Sequence, residues 1–142
     1  MYEFFKHNIE KRSDLIFYEV TEEEIINAQD RMGIKFPKSL YEFYSEIGYG
    51  FVKGSPNFIN RIMAPADIAD FVCNNDVYSY VDRSIYNRNE FVFMHIADED
   101  FLTIEYVNGR EGAIKYFSRK IAETYMEFLE RMLQDPNYYI KK

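Results

Sequence analysis

The sequence predicts an α+β domain of two layers, an antiparallel meander sheet packed by helices. Three observations carry that prediction. Two short helices between Val20 and Gly50 have complete start and stop signals. Three apolar runs between Phe91 and Phe117 are separated by turn residues. An amphipathic stripe then runs from Ile121 to Met132. One-sided helices and strands of this kind bury their apolar sides against each other in layers.

Met1–Ile9 reads as a short helix with Phe4, Phe5 and Ile9 on its apolar side, and Leu15–Val20 as a strand or extended lead-in. Thr21 caps the next helix, with Glu24 three residues on completing a capping box. Val20 and Ile25 stand at the staple positions, and Gly33 suits the left-handed stop. Pro37 opens the second helix, where its missing N–H costs little. Leu40, Phe43, Tyr44 and Ile47 line one face before Gly48 and Gly50 end it.

Phe51–Met63 mixes aromatics with Gly54 and Pro56 and reads as strand and loop. Pro65 opens a brief helix with Ile68, Phe71 and Val72 as its buried side. Asn74 to Asn89 is polar, carries tyrosines and lacks a period, which predicts a long surface loop. Phe91–Ile96 is an unbroken apolar run, as in a strand buried on both faces. The acidic turn Ala97–Asp100 and the run Phe101–Val107 follow, and Asn108, Gly109 and Gly112 supply a five-residue connection to Ala113–Phe117. Ser118 is read as the cap of the last helix, with Ile121, Tyr125, Phe128, Leu129 and Met132 facing the core; Asp135-Pro136 ends it and leaves NYYIKK as a tail.

The 142 residues are treated as one domain, since no repeat, low-complexity tract or Gly/Ser linker divides them. At this length a chain buries roughly 68–70% of its unfolded surface, enough for a core without staples. Thirteen Phe and thirteen Tyr, without Trp, exceed what one such core needs, so part of the Tyr set is expected outside, as binding surface or as filler. The single Cys73 rules out an internal disulfide and a cysteine-based zinc site within one chain. It is expected to be buried. No apolar run reaches signal-peptide or membrane-span length, which points to the cytoplasm.

Seventeen basic against twenty-four acidic residues give a net charge of -7. Nucleic-acid binders need a basic face to release counterions from phosphate, so direct nucleic-acid binding is disfavoured. The basic residues near the ends, Lys6, Lys11, Arg12, Lys141 and Lys142, read as solvated. An acidic surface favours basic protein partners through faster, more selective encounter.

The stretches MGIKFPKSLYEFYSEIGYG, FVFMHIADEDFLTIEY, GAIKYF and IAETYMEFLERML, in this order and spacing, resemble the SMI1/KNR4 family, also called the SUKH superfamily, over about residues 20–133. The chain departs from that pattern at Asp98-Glu99-Asp100, where the family often has a Gly-Asp step, and at Gly48-Tyr49-Gly50, where it often has a double glycine. Bacterial members are commonly immunity proteins that neutralise nuclease or deaminase domains of polymorphic toxins. The resemblance therefore implies a non-catalytic antitoxin acting by occlusion, with a protein toxin as its partner and no cofactor. Eukaryotic relatives imply the alternative, a regulatory or scaffold interaction module.

Two segments are the candidate contact surfaces. Asp98, Glu99 and Asp100, with Glu105 and Glu111 nearby, can face toxin cations, or simply form a solvated hairpin turn. Tyr78, Tyr80 and Tyr86 with Asp76 and Asp82 offer anchors and charge in the long loop, or fold their rings back over the sheet edge. Calcium binding at the turn is disfavoured, because Leu102 stands where an EF-hand loop needs its next ligand and the glycine and closing glutamate are missing. His95 and His7 have no partners at metal-ligand spacing, and nothing nearby activates Cys73 as a nucleophile. A small-molecule site or enzyme in the cleft between helix pair and sheet is the remaining, weakest reading.

Overall fold

The computed structural model describes residues 1–73, 76–82 and 89–140. Within them a seven-stranded antiparallel sheet runs in sequence order, β1 (Leu15–Tyr18), β2 (Tyr49–Val52), β3 (Arg61–Ile62), β4 (Glu90–Ala97), β5 (Asp100–Val107), β6 (Arg110–Tyr116) and β7 (Arg119–Ala122). The helices are α1 (Glu3–Lys11), α2 (Glu22–Met32), α3 (Lys38–Glu46), α4 (Pro65–Val72) and α5 (Tyr125–Gln134). The α+β class holds, and the sheet is larger than the three-stranded meander read from the sequence.

The helix pair forms as its punctuation requires. Thr21 accepts from the Glu24 amide while the Glu24 carboxylate accepts from the Thr21 amide, so two of the helix's orphan donors are satisfied. Gly33 takes φ 73° and its N–H closes the helix on the Gln29 carbonyl. Pro37 precedes α3, which buries Leu40, Phe43 and Tyr44.

Ladder partners in an antiparallel sheet share a face, and alternate residues along a strand do too. Leu15, Phe17, Val52, Ile62, Met94, Leu102 and Ile114 therefore point inward, towards α1, α3 and α5. Aromatic rings fill that layer. Phe43 meets Tyr2 at 5.4 Å, Phe5 at 5.3 Å, Phe17 at 5.9 Å and Tyr125 at 5.6 Å, all edge-to-face. Phe93 joins Tyr125 at 5.6 Å and Phe128 at 5.4 Å. Edge-to-face geometry sets the positive rim of one ring on the negative face of another. Phe is thus mostly buried, while Tyr is divided between core and surface.

Two differences come from two-residue turns, and two more lie in the C-terminal segment and at Cys73. Asn108 and Gly109 alone, at φ 51° and 78°, turn β5 into β6, so β6 starts at Arg110 instead of after a five-residue connection. Phe117 and Ser118, at φ 48° and 68°, make a second two-residue turn of the same hand. Ser118 therefore caps nothing: Ile121 belongs to β7, and Thr124 caps α5 by accepting from the Glu127 amide. The C-terminal segment is also no loose tail. Tyr139 is 1% exposed and donates to the buried Asn60 carboxamide, while Tyr138 donates to the Ile121 carbonyl at 2.9 Å. Finally, Cys73 is exposed instead of buried, its thiol donating to the Arg31 carbonyl at 3.4 Å where α4 lies against α2.

Candidate interaction surface

The outer end of the β4–β5 hairpin is built on His95. Its ring stacks on Phe101, the residue opposite it in the ladder, at 4.4 Å and 11°. The Nε2 of His95 lies 2.7 Å from the Asp98 carbonyl, holding the turn residue at φ 41°. An Asp tolerates this left-handed position better than most residues, which explains how the turn closes without glycine. Asp98 and Glu99 point into solvent; Asp100 is half-buried. Burial, helped by the Asp98 charge, pushes the Asp100 carboxyl above its ordinary pKa, against the opposing pull of His95.

The long loop meets this turn. After α4, a 3₁₀ turn spans Asp76–Tyr78. Tyr78 is 5% exposed, its ring 5.6 Å from Phe71 and 6.0 Å from Phe101, and burial pushes its phenol up to about 12. It anchors the loop from below and does not face outward. Tyr80 does: it is 49% exposed, and its hydroxyl donates to the Asp98 carbonyl at 3.4 Å. Partial burial first, then the charges of Asp98 and Glu99, raises its pKa. Of the two candidate segments, Tyr80 and Asp98-Glu99 thus come together as one acidic, phenolic surface. Asp82 is exposed just beyond the buried Val81. Asp76 lies at the start of the 3₁₀ turn, and Tyr86 falls outside the described residues.

The two glutamates grouped with the turn are engaged elsewhere. Glu105 pairs with Lys115 at 2.7 Å on the outer face of β5 and β6, and that partner holds its carboxyl below the usual range. Glu111 accepts from the Ser39 amide at 2.7 Å, tying β6 to α3. Among the described residues, no group of three or more His, Cys, Asp or Glu is placed to hold a metal ion. A groove of about 470 Å³ lies between the α2–α3 link and the β5–β6 turn, lined by Ile34, Lys35, Phe36, Lys38, Tyr106, Asn108 and Gly109.

The chain matches the SMI1 / KNR4 family (SUKH-1) over residues 19–131. It belongs to that family. It is also 34% identical over 143 aligned positions, 98% of this chain and 95% of the relative, to a Bacillus subtilis (strain 168) protein named "Immunity protein YxxD". The matched span opens two residues before the Thr21 cap, includes both surface segments and closes inside α5. This SMI1/KNR4 chain has no helix, among the described residues, long and apolar enough to cross a membrane.

The sequence does not announce a second aromatic surface. Tyr18 and Tyr49 lie opposite each other on the outer face of β1 and β2, with ring centroids 5.4 Å apart. The alternation Ile16-x-Tyr18 and Tyr49-x-Phe51 was the available signal, obscured because Tyr49 sits between two glycines that read as a helix stop.

Proposed function

We propose that this protein is an immunity protein that binds a cognate polymorphic-toxin domain, such as a nuclease or deaminase, and neutralises it by occlusion without chemistry of its own. Membership of the SMI1/KNR4 family and the likeness to a named immunity protein support that role. The observation that carries the contact surface is the bond from the Tyr80 hydroxyl to the Asp98 carbonyl, which joins phenol and carboxylates in one patch. Asp98 and Glu99 meet toxin cations, with Asp100 behind them and Asp82 on the loop beside them. Tyr80 packs as the exposed anchor, while Tyr78 and the Asp76 turn hold the loop that presents it. Enzymes that act on nucleic acid carry basic clefts, so an acidic patch competes for the same cations and speeds encounter.

Co-expression with the toxin domain encoded beside the gene is the direct experiment. Growth restored by the wild-type chain supports neutralisation. Persistent toxicity with both proteins folded rejects it and favours the scaffold role. Reversing charge with Asp98→Lys and Glu99→Lys should slow association about tenfold or more at low salt and flatten its salt dependence, as stopped-flow mixing would read. Unchanged association kinetics would move the contact to another surface.

A further inference from the structure

The outer face of β1 to β4 is open where the inner face is sealed. Ladder register sets Ile16, Phe51, Arg61 and His95 in one row across four strands, with Tyr18 and Tyr49 beside it. Four strands at ~4.8 Å spacing make this row about 15 Å wide. Tyr18 is 50% exposed, and Ile16, Tyr49, Phe51, Arg61 and His95 are half-buried. Phe101, the next residue in the row, is fully covered by Phe71 and Tyr78, so the open face ends there, against the Tyr80–Asp98 surface.

Its chemistry selects a cation. The Arg61 guanidinium lies 5.5 Å from the centre of the Tyr49 ring, its charge balanced by Asp67. The face therefore already seats one guanidinium on one tyrosine. Tyr18, tilted 32° against Tyr49, offers the adjoining ring half open to solvent. Exposed carboxylates bound the face at both ends: Glu19 at the β1–α2 link with Glu22 and Glu23 in the first turn of α2, and Asp98 and Glu99 at the β4–β5 turn. Phosphate would be repelled by both rims, and so would a second copy of a chain carrying net charge -7.

We propose that the open outer face of β1–β4 docks a basic protein surface, seating an arginine of the partner on Tyr18 between the two acidic rims. This rests on the immunity reading and extends its contact surface from the Tyr80 patch across the sheet. A guanidinium over Tyr gains both from the ring's negative face and from planar stacking, which an ammonium gains less.

The test titrates the ¹⁵N-labelled full chain with hexa-arginine, hexa-lysine and hexa-glutamate peptides at low salt. Amide shifts should map to residues 16–19, 49–51, 61 and 95–99, with hexa-arginine binding more tightly than hexa-lysine. Tyr18→Ala should weaken hexa-arginine about fivefold while Tyr18→Phe keeps most of the affinity, with unfolding midpoints showing that both variants fold. Shifts confined to Glu22–Glu24, affinity unchanged in Tyr18→Ala, or a preference for hexa-glutamate would each overturn the proposal. Concentration-dependent broadening around Tyr18 without peptide would assign the face to a second copy instead. Growth rescue separates the two claims. If the wild-type chain fails to rescue, the immunity reading falls; if Tyr18→Ala rescues as well as wild type, only this face is wrong.

Discussion

Buried tyrosines show how much one hydroxyl depends on its surroundings. Tyr44 and Tyr125 both lie fully inside, and burial raises both phenols well above the ordinary range. Tyr44 donates to the Met63 carbonyl at 2.5 Å, whereas the Tyr125 hydroxyl has no partner among the described residues. Losing a buried bond costs about 1–3 kcal/mol, while removing an unpaired polar group relieves a desolvation cost. Tyr44→Phe should therefore lower stability by about 1–2 kcal/mol, and Tyr125→Phe should leave it unchanged or raise it. Urea unfolding of the two variants tests this; a loss in Tyr125→Phe comparable to that in Tyr44→Phe would mean its hydroxyl is bonded in solution.

Helix α2 and its neighbours put the burden on their ends. Removing the cap with Thr21→Ala should cost about 1 kcal/mol, a fall in midpoint of roughly 3–4 °C for a chain of this length. The two glycines after α2 and α3 look alike in sequence and differ in space. A Cβ on Gly33 would meet nothing within 4 Å, so Gly33→Ala carries only the left-handed backbone strain of about 1–2 kcal/mol. A Cβ on Gly48, at φ 122°, would lie 1.9 Å from the Tyr18 carbonyl oxygen, backbone against backbone. Gly48→Ala must push β1 away from α3 and should be far the more damaging, by thermal unfolding or by loss of soluble yield. The same displacement would disturb the Tyr18–Tyr49 ring pair.

Across the whole molecule, the aromatic core ties stability to alkaline pH. Tyr2, Tyr44, Tyr125, Tyr138 and Tyr139 all have phenols raised above the ordinary value, with burial the leading cause in each. A folded pKa above the unfolded one means that the unfolded chain loses its protons first. Stability from these groups is fully present below about pH 10 and falls as pH rises beyond it, by ~1.4 kcal/mol per pH unit for each phenol still protonated in the fold. The phenolate absorbance of these buried groups should appear in one cooperative step together with loss of structure, not as a smooth titration. Acid acts through other groups. Asp14 beside Arg12 and Glu105 beside Lys115 have lowered pKa values, so their contributions, present above the ordinary carboxyl value, fade as pH falls through their folded values. Both pairs are partly solvated, so the acid side should be much shallower than the alkaline side.

Local pattern determined the helices with explicit end signals, the strand pair β4–β5 and the acidic turn, and the order and spacing of those stretches determined the family to which the chain belongs. Caps, staples and apolar periods act within a few residues, so they can be read without knowing what lies across the core. Tertiary structure decided the rest. Phe117-Ser118 turns because β6 and β7 pair, against the preference of both residues, and that pairing moved Ile121 from helix to strand. Tyr139 is core only because the buried Asn60 accepts its hydroxyl from 79 positions away in the chain. Tyr78 and Tyr80, two residues apart, go to opposite fates because Phe71 and Phe101 cover one ring while the other reaches Asp98. Which phenol points outward is a matter of contacts made at long range, and no local rule encodes them.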